Sequence, residues 1–467
     1  MDILSYKLET EQQFWEELED ISSKDYHSTS TVERTLSAYV RFAGTYMETF
    51  LSTDEDLTRC AQALIRSSVF SKNRAYVRRT LISSMVLEEL DLATKVLIGA
   101  VLLLDGRLHQ STLEMMHEEK ATGAVISILW KDRHSNIRLH RIYLELLYEL
   151  CRVQKLGNAE LCCISEEFIV YILSVIQNQV DYDNDPYGLA AMKVLLALNE
   201  QYMVAALTMY DGNRVENRSF KVLKEKGDRY RAFGENLVFL LNRGPDRCLQ
   251  LMSLKLLYLL FTTRETYQYI YLNDLKVLVS VMIRELLDLP AEEETLRHTY
   301  LRILHPLLLN TQIREEGYRR AELVSLLVSI ADPNSHSAAP LGEETRRLAS
   351  RCLTVDWLEY SLPCTPVTSA QDEGVLPDDE SDDSVDDELI LQDDTVDRAS
   401  HDETLKDHTK LFVKPLTKKL PPPAPGPRKL MAMKVRNTSE TEIATIRKVP
   451  PPPPPRSRSL TPLQMNT

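Results

Sequence analysis

Apolar residues return every three or four positions over almost the whole stretch from about residue 6 to residue 360. At 3.6 residues per turn, this spacing places them on one face of an α-helix. The pattern predicts one amphipathic helix after another. Four of the predicted apolar stripes are Leu139, Ile142, Leu146 and Leu150; Leu189, Met192, Leu196 and Met203; Leu249, Met252, Leu256 and Leu259; and Leu272, Leu275, Val279, Met282 and Leu286.

Glycine and proline are distributed as a helical protein requires. The 467 residues include only 14 glycines, about half the usual share. Sixteen of the 22 prolines follow residue 362, and proline interrupts the hydrogen bonds of a helix interior. We expect helix boundaries at five clusters of turn-forming residues, with Pro186 and Pro245 accepted in first helical turns. The clusters are Asp105-Gly106, Asp181 to Pro186, Asp211-Gly212, Gly244-Pro245 and Asp332-Pro333.

The predicted helices are too apolar to stand alone, so neighbours must stack to bury their stripes. This requirement favours an all-α fold, an armadillo/HEAT-like α-solenoid. No clean internal repeat is visible in the sequence, which keeps an irregular helical bundle as the alternative. We assign residues 1–53 to an N-terminal helical extension or cap and residues 54–361 to the armadillo-like domain.

The composition changes after residue 362, where Ser, Thr, Asp and Pro dominate. Such a segment cannot bury enough apolar surface to fold. We predict an acidic disordered linker over 362–409 and a basic, proline-rich tail over 410–467. Residues 372–407 hold sixteen Asp/Glu against two basic residues, and the whole chain has a formal charge of −14. We therefore assign the acidity mainly to the linker and expect no nucleic-acid binding.

The remaining composition points to a cytoplasmic protein. The seven cysteines are scattered without a CxxC pair, which predicts neither a disulfide scaffold nor a zinc site. The first twenty residues are acidic where a signal peptide would be basic and then apolar. The longest apolar run, residues 96–104, is far shorter than the roughly 20 residues that cross a bilayer. We expect no membrane insertion.

Two basic-flanked Pro-x-x-Pro motifs lie in the tail. Prolines three apart share a face of a polyproline II helix and can enter the aromatic grooves of SH3 domains. We interpret the motifs as SH3-binding sites, with profilin as a further candidate for the six-proline run and a low-complexity spacer as the alternative. The residues are Lys419, Pro422 and Pro425; Arg447, Pro450 and Pro453; and, in the reverse orientation, Pro451, Pro454 and Arg456.

Catalytic motifs are not found in the sequence. There is no P-loop, nucleophile elbow or His-Glu-x-x-His. The pairs His134 with His140 and His298 with His305 have no ligand set around them, and we interpret them as surface or packing histidines. We expect a protein that is not an enzyme and holds no cofactor.

Polar residues interrupt the apolar pattern at two places in the helical part. The run 199–202 is predicted to close one helix, and the run 236–243 closes another. Such residues can cap helices and tie neighbouring repeats together. In armadillo-like solenoids, side chains of this kind also line the concave face and hold a partner. The candidate partner-binding residues are Asn199, Glu200, Gln201, Tyr202, Asn236, Asn242 and Arg243.

The runs 184–203 and 235–243 resemble the leucine-rich core of the WISH/DIP/SPIN and Ldb-type proteins. The likeness covers residues 1–360 in architecture and is specific over 184–288. The resemblance implies an activator of the Arp2/3 complex that needs no pre-existing filament. It implies binding chiefly along the fourth small subunit of the complex, and linear filaments whose pointed ends are held through it. These filaments would seed branched networks at cortical actin patches during endocytosis.

Animal members of this family begin with an SH3 domain, for which the residues before the first predicted helices leave no room. The proline-rich tail resembles the fungal type and implies recruitment by SH3-domain endocytic adaptors. Two other classes stay open. One is a non-activating armadillo-type adaptor that links SH3 proteins to the actin machinery. The other is a formin-like regulator, which the missing formin-homology core disfavours.

Overall fold

The structure, a computed structural model, describes residues 8–23, 29–87, 90–178, 185–208, 215–290, 292–332 and 341–358. Among these residues the regular elements are helices, with no β-strand. The prediction of an all-α fold is confirmed. The predicted acidic linker and the tail, with every SH3-binding residue, lie outside the described residues.

Twenty-one α-helices occur in the described ranges. In chain order they are α1 Glu11–Ser23, α2 Thr29–Thr45, α3 Met47–Phe50, α4 Asp54–Arg66, α5 Ser68–Lys72, α6 Arg74–Leu87, α7 Leu92–Leu108, α8 Gln110–Glu118, α9 Ala121–Lys131, α10 Ile137–Val153, α11 Asn158–Cys163, α12 Glu166–Gln177, α13 Pro186–Thr208, α14 Arg218–Lys226, α15 Arg231–Asn242, α16 Arg247–Thr262, α17 Leu272–Asp288, α18 Glu294–Asn310, α19 Ile313–Glu316, α20 Arg320–Ala331 and α21 Glu343–Leu353.

The helices form two layers. In the first layer α4, α7, α10, α13, α16, α18 and α21 pack side by side in chain order. In the second layer α6 packs on α9, and α12, α15, α17 and α20 follow one another. Each second-layer helix also packs on the first-layer helix that follows it in the chain, as α9 does on α10 and α12 on α13. Short helices such as α8, α11, α14 and α19 precede several of these pairs. A short helix followed by a stacked pair is the unit of an armadillo-like solenoid.

The N-terminal helices α1, α2 and α3 lie in the segment predicted as an extension or cap. Helix α2 packs on α6 and α7, and α1 packs on α5. An aromatic cluster holds α1 to its neighbours, since Phe14 is fully buried and stacks on Phe42 and Phe50 at centroid distances of 5.5 and 5.2 Å. These packed rings fix the position of α1 against α2 and α3. The boundary at residue 53 stays a prediction.

Most residues of the four predicted apolar stripes are buried in the core, whereas Leu189, Met203, Leu259 and Leu272 are half-buried. Leu139, Ile142, Leu146 and Leu150 on α10 are all buried against the neighbouring helices α7 and α13. Side-chain caps start several helices: the Asn136 carboxamide accepts a hydrogen bond from the Leu139 N–H at 3.0 Å. These contacts satisfy first-turn N–H groups that have no partner within the helix.

Asp105-Gly106 does not end a helix, and that prediction is wrong. Both residues lie inside α7, one turn before its end. The Asp105 carboxylate is buried, where it accepts hydrogen bonds from Arg78 Nε and Thr112 Oγ1, each at 2.6 Å. A Cβ on Gly106 would lie 2.8 Å from Leu113 Cδ2, so this glycine permits α8 to pack closely on α7.

The two predicted proline starts have different outcomes. Pro186 is the first residue of α13, as expected. Pro245 precedes α16 rather than entering its first turn, because Asp246 is the N-cap and accepts a hydrogen bond from the Leu249 N–H at 3.1 Å. The preceding Gly244 has a φ of +63°, the left-handed conformation that glycine adopts readily.

Candidate functional site

The run 199–202 does not close a helix but lies inside α13, which continues to Thr208. Gln201 is buried and binds the end of α10 and the loop after it. Its Oε1 accepts from the Leu156 N–H at 2.9 Å, while its Nε2 donates to the carbonyls of Cys151 and Gln154 at 2.5 and 2.8 Å. The side chain thereby satisfies three backbone groups where α10 ends.

The other members of this run also contact elements of the same chain. The Tyr202 hydroxyl, on a fully buried side chain, donates to the Leu161 carbonyl at 3.2 Å. Asn199 is 1% exposed, and its Oδ1 accepts from Asn217 Nδ2 at 2.8 Å. These hydrogen bonds agree with the interpretation in which the run ties neighbouring repeats together.

Glu200 is the member of this run nearest to solvent, at 9% exposure. Its Oε1 lies 3.1 Å from Lys255 Nζ on α16, so the pair joins two adjacent helices of the first layer. Glu200 Oε2 is buried and has no hydrogen-bond partner among the described residues. The carboxylate therefore depends on the Lys255 ammonium for its charge compensation.

The second predicted group lies at the end of α15. Asn242 is exposed, and its Oδ1 accepts from Arg284 Nη1 on α17 at 3.2 Å. Arg243 is the exposed C-cap of α15, and its guanidinium carbon lies 4.6 Å from the centroid of the Phe239 ring. Asn236 is half-buried and lies six residues before Asn242. We call the exposed side chains Asn242, Arg243 and Arg284 the α15 rim.

The described contacts do not bring the two predicted groups together. The run 199–202 lies inside a helix of the first layer, whereas the α15 rim lies around the C-terminal end of α15 in the second layer. Direct contact with a partner stays a prediction for all seven residues. The α15 rim is the more accessible of the two groups, because a partner can reach exposed polar and charged side chains without separating helices.

A network of ion pairs on the first layer was not predicted. Arg107 on α7 binds Glu145 and Glu149 on α10, at 2.7 and 3.0 Å. Arg152 binds Glu149 at 2.7 Å, and Arg141 bridges Glu145 at 3.2 Å. The sequence shows charged residues four positions apart on α10, at Arg141, Glu145 and Glu149. It does not show that Arg107 on α7 would be their partner.

The network shifts the pKa values of Glu149 and Arg107. Burial by itself raises the pKa of Glu149, but Arg152 and Arg107 outweigh it and the pKa is lowered. Burial by itself lowers the pKa of Arg107, and Glu145 and Glu149 outweigh it in the opposite direction. Paired charges fixed between two helices suit a rigid scaffold rather than proton transfer.

The histidines agree with their interpretation as packing residues. His140 is buried, its Nε2 lies 3.2 Å from the Leu129 carbonyl, and burial lowers its pKa to about 4. His298 Nε2 lies 2.8 Å from Thr345 Oγ1. Within the described ranges, no group of three or more His, Cys, Asp or Glu side chains could hold a metal ion. None of the described helices combines the length and apolarity needed to cross a bilayer.

Comparison with known proteins shows which family this chain resembles. Residues 184–323 match the family model described as the SPIN90/Ldb17 leucine-rich domain. This span begins at the residue where the predicted likeness begins, and it includes all seven candidate residues of the helical part. Over 425 residues, the chain is 31% identical to Protein LDB17 of Saccharomyces cerevisiae, covering 78% of this chain and 85% of that protein.

The chain belongs to the SPIN90/Ldb17 family. It is also 29% identical over 363 residues to Protein dip1 of Schizosaccharomyces pombe, covering 76% of this chain and 96% of that protein. Protein LDB17 of Eremothecium gossypii is 29% identical over 372 residues, which cover 73% of this chain and 80% of that protein. The predicted resemblance is confirmed at the level of the family, which is linked to actin patches and to regulation of the Arp2/3 complex.

Proposed function

We propose that this protein activates the Arp2/3 complex without a pre-existing filament and thereby nucleates linear actin filaments. Membership of the SPIN90/Ldb17 family is the observation that carries this proposal. The proposed contact runs chiefly along the fourth small subunit of the complex, and the complex would hold the pointed end of the new filament. The filaments would seed branched networks at cortical actin patches in the cytoplasm during endocytosis.

The two-layer solenoid suits an activator that works without covalent chemistry. Its first-layer helices are joined by buried side chains and by cross-helix pairs such as Glu200 with Lys255 and Glu145 with Arg107. A rigid body that binds one arrangement of a complex better than another shifts the population by the difference in binding free energy. A difference of about 3–5 kcal/mol is sufficient to make a rare arrangement dominant.

Within this proposal the α15 rim contacts the Arp2/3 complex, and the run 199–202 holds α13 against its neighbours α10 and α16. Arg243 presents a guanidinium at the end of a helix, and such groups are frequent at the energetic centres of protein interfaces. The Pro-x-x-Pro motifs around Pro422, Pro450 and Pro454 would recruit the protein to SH3-domain endocytic adaptors, and profilin is a further candidate ligand of the tail.

The test is pyrene-actin polymerisation with purified Arp2/3 complex and the full chain, without filament seeds or another activator, followed in parallel by single-filament microscopy. Acceleration with unbranched filaments is the expected result. No acceleration, combined with retention on SH3 domains, would favour the second candidate, a non-activating adaptor. The tail motifs are the feature that favours this second candidate.

A further inference from the structure

Two adjacent cysteines lie at the C-terminal end of α11, where the proposed function gives them no role. Cys162 and Cys163 are exposed, whereas the other four cysteines of the described ranges are buried or half-buried. Those four are Cys60, Cys151, Cys248 and Cys352. Burial raises the pKa of each of these four thiols, to about 12 for Cys60 and Cys352. They are therefore protonated at neutral pH, whereas a reagent in solution can reach the thiols of the adjacent pair.

The backbone around this pair is held by side chains from later helices. Arg218 Nη1, at the start of α14, donates hydrogen bonds to the carbonyls of Cys162 and Ile164, at 3.1 and 2.5 Å. The Tyr202 hydroxyl on α13 donates to the Leu161 carbonyl at 3.2 Å. Both side chains belong to the leucine-rich domain that the family model matches. The conformation of this helix end therefore determines how α11 is held against α13 and α14.

The helical geometry of α11 keeps the two thiols apart. Successive side chains of a helix point about 100° apart, and adjacent Cα atoms lie about 3.8 Å apart. Disulfides usually span about 4.4–6.8 Å between Cα atoms. A bond between Cys162 and Cys163 therefore requires this part of the backbone to leave the helical conformation. Helix α11 has six residues, and so short a helix depends on its tertiary contacts rather than on its own hydrogen bonds.

Opening the helix at the two cysteines would displace the carbonyls that Arg218 and Tyr202 bind. Leu161 and Ile164 flank the pair and are fully buried, so the change is confined to the residues between two apolar anchors. Tyr202 is also fully buried, and its hydroxyl would lose its backbone partner without gaining contact with water. A change at the surface of α11 would thus weaken its attachment to α13.

We propose that Cys162 and Cys163 form a redox switch, in which a peroxide oxidises the pair to an intramolecular disulfide and releases the end of α11 from Arg218 and Tyr202. In the first step, the thiolate of one cysteine attacks a peroxide oxygen. The O–O bond breaks, a sulfenic acid forms, and hydroxide leaves and takes up a proton. In the second step, the sulfur of the neighbouring thiol attacks the sulfenic sulfur. The S–S bond forms, the S–O bond breaks, and the departing hydroxide takes the thiol proton as water. The pair loses two electrons, and hydrogen peroxide is reduced to two molecules of water.

The disulfide of this pair would be readily reversed. It would be exposed, and its two Cα atoms would be closer than disulfide geometry favours. Exposed or strained disulfides are the labile ones, which thiol reductants reduce by exchange. The reductant then carries the disulfide, both cysteines regain their protons, and α11 can bind Arg218 and Tyr202 again.

The chemical test treats the reduced full chain with hydrogen peroxide, blocks the remaining thiols with N-ethylmaleimide and analyses the peptide that contains the pair by mass spectrometry. We expect this peptide to lose two hydrogen atoms and to carry no label. In Cys162→Ser and in Cys163→Ser the remaining thiol should stop at the sulfenic acid, which dimedone traps. The matched control Cys248→Ser removes a half-buried thiol and should form the disulfide as the native chain does. Cys364→Ser, outside the described residues, should do so as well.

The conformational test compares the oxidised and reduced full chains. Amide hydrogen exchange at residues 161–164 should be at least tenfold faster after oxidation, since the helix end is no longer held. The Tm should fall by about 2–4 °C, and dithiothreitol should restore both values. The double variant Cys162→Ser/Cys163→Ser alters exposed side chains, so its Tm should match that of the reduced native chain and should not respond to peroxide.

Four results would overturn the proposal. A disulfide-linked dimer would show that the pair bonds to a second chain, and a bond to Cys364 would show that the adjacent thiol is not the partner. Sulfinic acid without a disulfide would show that neither thiol intercepts the sulfenic acid of its neighbour. A disulfide that leaves hydrogen exchange and Tm unchanged would show that α11 is not released. These readouts do not depend on the proposed activity toward the Arp2/3 complex.

Discussion

The run 199–202 in α13 and the rim at the end of α15 look alike in sequence, since both interrupt an apolar pattern with polar residues. The structure separates them. Gln201 and Tyr202 are buried and bind the backbone where α10 ends and within α11, whereas Asn242 and Arg243 are exposed at a helix end. Polar residues within a solenoid can therefore hold repeats together or present a surface, and only the tertiary contacts distinguish the two roles.

The largest expected effect is that of Gln201→Leu. The exchange removes the partner of the Leu156 N–H and of two carbonyls, and each unsatisfied buried group costs about 1 kcal/mol or more. We expect the free energy of unfolding to fall by about 3 kcal/mol, measured by urea denaturation. Tyr202→Phe is the matched variant, because it removes one hydrogen bond and should cost about 1 kcal/mol. Equal losses in the two variants would contradict the three-bond role of Gln201.

The next effect concerns Lys255→Met, which leaves the Glu200 carboxylate without its cation in a site that is 9% exposed. We expect a loss of about 2 kcal/mol in the free energy of unfolding. The double variant Glu200→Gln/Lys255→Met should recover at least half of it, since no charge is then left buried. If the double variant is as unstable as the single one, packing of the lysine stem and not the charge is responsible.

A smaller, pH-dependent effect is expected at Glu149. Its pKa is lowered in the folded protein from 4.5, so its contribution is fully present above about pH 4.5 and is lost as the pH falls through the folded value. Glu149→Gln should therefore be less stable than the native chain at pH 7, and the gap should narrow below pH 4.5. Urea denaturation at pH 7 and at pH 4 provides the comparison. A gap that is constant with pH would indicate that the ion pairs with Arg107 and Arg152 do not set the stability.

The smallest effect on stability is expected at the α15 rim. Asn242→Ala and Arg243→Ala alter exposed side chains, and such exchanges change the free energy of unfolding by about 0.5 kcal/mol or less. In the pyrene-actin assay with Arp2/3 complex, both variants should slow assembly severalfold. A large loss of stability in either variant would show that the rim, like the run 199–202, holds the fold together rather than presenting a binding surface.

The sequence predicts the fold class well because burial of helical stripes is a local pattern. Leu139, Ile142 and Leu146 lie where the period of 3.6 places them. Local signals mislead where a distant contact decides. Asp105-Gly106 is typical of a turn, yet both residues belong to α7, because Arg78 binds the aspartate and Leu113 requires the small glycine.

The candidate site shows the same limit. The sequence marks Asn199 and Gln201 as unusual polar residues, but their partners lie 18 and up to 50 positions away, so their burial could not be predicted. The pairing of Arg107 with Glu145 and Glu149 was missed for the same reason, since it joins two helices of the stack. Arg243 is exposed because it lies at the C-terminal end of α15. Of the candidate residues, it agrees best with the prediction that the run 236–243 closes a helix.

The most direct test of the difference between these two regions is the affinity of the full chain for purified Arp2/3 complex in two variants of comparable helicity. Arg243→Glu reverses a charge on the rim, and Tyr202→Phe removes one buried hydrogen bond. We predict that Arg243→Glu raises the Kd at least tenfold, while Tyr202→Phe leaves the Kd within twofold of the native chain. An unchanged Kd for Arg243→Glu, or a tenfold increase for Tyr202→Phe with unchanged helicity, would contradict the assignment of the rim as the binding surface.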